Sequence, residues 1–123
     1  MIDLVPNVAK PFRLPQHEQL EDAPTFMLRS LTARTFLELS AVENPGTSVY
    51  LCALAALVGV EGVQVGGEPL KWDEQPTRLV ETVHVPGGGI AAEALDKLPS
   101  DWIAAIAREA RDRHQVTPDD LGK

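Results

Sequence analysis

The sequence predicts an α+β fold, predominantly helical, with small N-terminal strands and a central β-hairpin packed on a helical core. Three observations carry this expectation. Residues 49–60 form a run that is apolar on all sides, which marks a helix at the centre of a domain. Residues 57–74, LVGVEGVQVGGEPLKWDE, change from helical to alternating periodicity around Gly66-Gly67. Residues 100–114 place Trp102, Ile103, Ile106, Ala107 and Ala110 on one face and charged residues on the other, as an amphipathic helix does.

Taken in order, residues 1–24 contain Pro6, Pro11, Pro15 and Pro24, a density that excludes a long helix. They are read as an extended proline-rich arm, and residues 25–123 as a single globular α+β domain. Within the arm, residues 10–14 alternate polar and apolar side chains, a short edge strand. Residues 25–29, TFMLR, form a second strand able to pair with the first across the acidic segment HEQLED.

A first helix starts at Thr32, whose hydroxyl can cap the N–H of Arg34 or Thr35 while Leu31 staples onto Phe36. Phe36, Leu39 and Val42 form its inward stripe, and Asn44-Pro45-Gly46 stops it. Thr47 or Ser48 then caps a second helix reaching Gly59. Burying three or four of its aliphatic side chains would contribute ~1.5–3 kcal/mol each, so Leu54 is a structural position where a charge should unfold the protein.

Val63 and Val65, then Leu70 and Trp72, alternate about Gly66-Gly67, which supplies the positive φ angles of a two-residue turn. Gly66, Gly67 and Trp72 are therefore structural, Trp72 being a packing anchor for the hairpin rather than a ligand platform. Leu79, Val80 and Val83 suggest a short helix from Thr77, and Pro86-Gly87-Gly88-Gly89 a flexible linker. That glycine run lacks the spacing and the lysine of a phosphate loop. Residues 90–98 read as a third helical segment, and Ser100 as the N-cap of the long last helix.

Charge and composition exclude several functions. A net charge of −7 is concentrated in the second half, where seven Lys/Arg face twelve Asp/Glu, and no basic cluster offsets it, so nucleic acid is not an expected partner. Cys52 is alone in an apolar helix and reads as a buried thiol. No signal peptide or membrane span is recognisable. His17, His84 and His114 lie in separate elements without metal-ligand spacing, and the carboxylate pairs lie in polar segments. No serine sits in a nucleophile elbow. Catalytic, metal and cofactor residues are accordingly expected to be none, and the protein to be no enzyme.

The succession PTFMLRSLTART, LVGVEGV with GGEPLKWDE, LPSDWIAAIAREA and the closing TPDDLGK resembles the tail assembly chaperones and related tail-assembly proteins of long-tailed bacteriophages. The resemblance spans most of residues 10–123: Gly67 and Pro69 precede the aromatic Trp72 as in that family, and Leu98-Pro99 opens the last helix. The glycine run at 87–89 and the proline-dense arm depart from its pattern.

The resemblance implies a viral protein of the host cytoplasm that coats the tape-measure protein, keeps it soluble, hands it to tail-tube subunits and is absent from the finished particle. Some relatives of this kind are made in two lengths by frameshifting. Trp102, Ile103, Ile106 and Ala110 are the expected partner-binding face, with core packing as the other use of Trp102. Homo-oligomer formation is left open. The alternatives are a structural adaptor of the virion, such as a tail terminator or connector subunit, and a phage-encoded inhibitor of a host protein.

Overall fold

In the computed structural model, residues 9–114 are described, with the exception of Glu18. Strands β1 (Lys10–Phe12) and β2 (Thr25–Leu28) precede helices α1 (Ala33–Ser40) and α2 (Pro45–Ala56). Strand β3 (Leu57–Glu61) and two strand pairs follow in the chain, β4 (Gln64–Val65) with β5 (Glu68–Pro69) and β6 (Arg78–Val80) with β7 (Val83–Val85). A single turn, α3 (Ala92–Leu95), and the long α4 (Ser100–His114) close the described chain. The fold is not predominantly helical. It is a small mixture of helix and strand built on three antiparallel sheets, and this corrects the fold class expected from sequence.

The largest sheet has the order β1-β2-β3, with Phe12 opposite Phe26 and Phe26 opposite Val60. The two N-terminal strands pair as the alternation predicts. Within residues 10–14, Leu14 has no exposed surface and Phe12 packs against the core, while Lys10, Pro11 and Arg13 are exposed. The outer edge of β1 is covered from α4, where Arg113 donates to the carbonyls of Lys10 and Pro11 at 3.1 and 3.0 Å. Glu109 holds that guanidinium at 2.9 Å.

Thr32 caps α1 as expected, accepting from the Thr35 N–H at 3.1 Å. The cap of α2 is Asn44, not Thr47 or Ser48. Its Oδ1 accepts from the N–H groups of Gly46 and Thr47, and Pro45 occupies the first turn, where its missing N–H costs nothing. Leu51, Cys52, Leu54 and Ala56 are buried, which makes α2 the central helix, packed along α4.

The helix ends at Ala56 and the chain runs directly into β3, where Val58 and Val60 suit an extended backbone better than a helix. The β4–β5 hairpin turns at Gly66 and Gly67, with φ of 61° and 86°, as the glycine pair requires.

Two expectations fail between residues 77 and 90. Leu79, Val80 and Val83 lie on a hairpin, not a helix. Thr82, Val83 and Val85 carry β-branched side chains, and the outward backbone groups of His84 are taken by α1, where the Thr35 hydroxyl donates to its carbonyl at 2.6 Å and Glu38 accepts from its N–H at 3.2 Å.

The glycine run is no loose linker. Arg29 donates to the carbonyls of Pro86 at 2.8 Å, Gly87 at 2.7 Å and Ala55 at 3.0 Å. Gln75 and Gly89 form an antiparallel bridge beside it. The segment read as a helix over 90–98 shortens to the one turn of α3.

Candidate functional site

The face of α4 expected to dock a partner is largely consumed by the core. Ile106 and Ala110 have no exposed surface, and Ile103 is half-buried. Trp102 is also half-buried, edge-on to His17 at 5.1 Å between ring centroids and to Phe26 at 6.0 Å. An apolar stripe looks the same in sequence whether a protein's own sheet or a partner covers it. Here α2 packs along it and His17 and Phe26 meet Trp102, which leaves Ile106 and Ala110 inside the core and Trp102 and Ile103 part-exposed.

The two most exposed large apolar side chains lie elsewhere, on α1 and β6, with Leu20 and Val65 exposed to a lesser degree. Leu37 and Leu79 keep 68% and 60% of their surface in solvent. Leu79 stands opposite His84 across the hairpin, so the two side chains share a face. The His84 Nδ1 lies 2.8 Å from Oε2 of Glu38, whose neighbour in α1 is Leu37. The two exposed leucines thus lie on the two elements, α1 and the β6–β7 hairpin, that the Glu38–His84 contact joins. The bond to His84, first, and the charge of His84 and of Arg34, 3.8 Å away, hold the Glu38 carboxyl below its ordinary range. Sequence reasoning missed both leucines. The signal for Leu37 is its place off the inward stripe of Thr35 and Leu39, beside Arg34 and Glu38.

A second feature is a cleft of about 510 Å³ between α2, residues 71–80 and α3. Tyr50, Leu54, Trp72, Gln75 and Arg78 line it, together with Lys71 and Lys97. Trp72 is packed against the core, as its structural assignment requires, and Leu54 is fully buried at the base of the cleft. The Tyr50 hydroxyl donates to Asp96 at 2.8 Å, and burial together with that carboxylate pushes its pKa up to about 12. Gly66 and Gly67 stand apart from the cleft, with nothing near the position of a side chain.

Arg29 and Arg78 are neighbours without a carboxylate between them among the described residues. Burial, first, and the charge of Arg78, second, lower the Arg29 pKa. Cys52 is buried too, which pushes its thiol up and leaves it unreactive.

Among the described residues no group of three or more His, Cys, Asp or Glu side chains could hold a metal ion. No described helix is long and apolar enough to cross a membrane. Comparison with known proteins yields no match, whether to family models, to curated proteins or to solved structures.

Proposed function

We propose that this protein is a tail assembly chaperone of a long-tailed bacteriophage, which binds the tape-measure protein in the host cytoplasm and assists assembly of the tail tube around it. The observation that carries the reading is the exposure of two leucines, Leu37 on α1 and Leu79 on β6, on the two elements joined by the Glu38–His84 contact. The sequence resemblance supplies the client.

A long apolar client needs its surface covered temporarily. Covering two leucines contributes at most ~1.5–3 kcal/mol each, which suits a contact that must later be released to tail-tube subunits. The net charge of −7 keeps such a complex dispersed. The Glu38–His84 pair on the same two elements adds a hydrogen-bonding group to the contact.

Co-expression tests this reading. The tape-measure protein encoded in the same tail gene cluster should become several-fold more soluble in the presence of the wild-type chain. The double variant Leu37→Asp with Leu79→Asp should fold and give no such gain. Unchanged solubility with the wild-type chain would overturn the reading. Recovery of the protein in stoichiometric amount from purified particles would favour a virion adaptor instead.

A further inference from the structure

We propose that the cleft between α2, residues 71–80 and α3 binds a single carboxylate group, with Arg78 as its cationic partner and Trp72 as the wall for the apolar group that bears it. The inference is independent of the tail-assembly reading, which concerns the surface around Leu37 and Leu79.

Arg78 carries the argument. Its Nη2 donates to the Ile90 carbonyl at 3.3 Å, while Nη1 is buried with no acceptor among the described residues. A guanidinium is always charged, and leaving one of its buried donors unmatched is costly unless an acceptor is supplied. No carboxylate of the described residues approaches it within ion-pair distance, although the chain has 18 Asp and Glu. Its charge acts on Arg29, whose own donors are spent on backbone carbonyls, and on Tyr50, whose hydroxyl is already bonded to Asp96.

The rest of the cleft narrows the ligand. Lys71 and Lys97 are exposed at its lining and free of ion pairs among the described residues, so with Arg78 the lining carries three cations against the two carboxylates of Asp73 and Glu93. Asp73 and Glu93 also line it and oppose a second negative charge. That combination favours one carboxylate over a phosphate chain. Trp72 and Val80, both part-exposed, add apolar wall, and about 510 Å³ is room for one aromatic or branched side chain beside the charge. The carboxylate can come from a small molecule or from an acidic side chain of a bound peptide.

NMR titration of the full chain separates these sources, with the Trp72 indole N–H and the amides of residues 91–94 as reporters. Three probes are used: 4-phenylbutyrate, its uncharged analogue 4-phenylbutyramide, and the peptide acetyl-Leu-Glu-Phe-amide. Phenylbutyrate or the peptide should shift the reporters saturably, whichever binds more tightly identifying the source, and the amide should bind at least about tenfold more weakly.

Arg78→Met should abolish the difference between acid and amide. Because Arg78 also holds Ile90, the double variant Lys71→Ala with Lys97→Ala provides a second reading at exposed positions, and it should weaken acid binding a few-fold without touching the amide. Equal binding of acid and amide would overturn the proposal. So would shifts centred outside the cleft, or no saturable shift with any probe up to about 10 mM.

Discussion

Arg29 Nη1 donates to the carbonyl oxygen of Gly87 at 2.7 Å, across 58 positions of the chain. The same guanidinium reaches Pro86 and Ala55, so one buried side chain fastens the end of α2 and the glycine run to the strand β2 that leads into it. Replacing it with methionine would strand three carbonyls at once. Arg29→Met should therefore lower the unfolding free energy by about 3–5 kcal/mol, read as the shift of the urea midpoint at unchanged slope. Arg29→Lys should recover only part of that loss, because an ammonium cannot reproduce the planar fork.

The Glu38–His84 contact gives a pH prediction. Glu38 has a folded-state pKa below its ordinary value of 4.5, chiefly through its bond to His84. A carboxyl depressed in this way contributes stability that is present above pH 4.5 and is lost as pH falls through the lower, folded value. Urea midpoints measured downward from pH 5 should fall steeply in the wild-type chain. In Glu38→Gln the same limb should be visibly flatter, and identical limbs would remove this contact from the account.

Glu81 sits at the first turn position of the β6–β7 hairpin with φ of 55°, a left-handed conformation that glycine adopts freely and a branched or long side chain does not. Glu81→Gly should stabilise the protein by about 1 kcal/mol, the strain relieved less the extra backbone entropy lost. Thermal or urea unfolding reads this directly.

Leu54 and Ile106 are both fully buried, one on the central helix and one on α4. Either residue changed to alanine should cost about 2–5 kcal/mol. With Ile106→Ala the loss should appear in stability alone: at a temperature where the variant is folded, solubilisation of the tape-measure protein should match that of the wild-type chain.

Local patterns were legible in the sequence, and tertiary ones were not. Gly66-Gly67 specifies its turn without help from the rest of the chain, and Thr32 needs only Thr35 to cap α1. The strands at Lys10–Phe12 and Thr25–Leu28 showed through their alternation. By contrast, Ala56 and Leu57 carry no punctuation between them, so the helix was extended into what is β3. Leu79, Val80 and Val83 fit a helix as well as a hairpin, and Thr35 and Glu38 of a distant helix decide the matter. Pro86-Gly87-Gly88-Gly89 looked flexible because nothing in its neighbourhood announces that Arg29 grips it. For the site, an apolar stripe such as that of α4 does not say in sequence what covers it, and here Ile106 and Ala110 lie in the protein's own core while Trp102 and Ile103 are part-exposed. Arg78 was passed over because an isolated arginine on a short strand carries no motif.

The most direct measurement is hydrogen exchange on the complex with the tape-measure protein. The account predicts slowed exchange over residues 33–40 and 78–85, around Leu37 and Leu79, with little change along α4. Protection confined to α4, or no protection in a complex that forms, would contradict it.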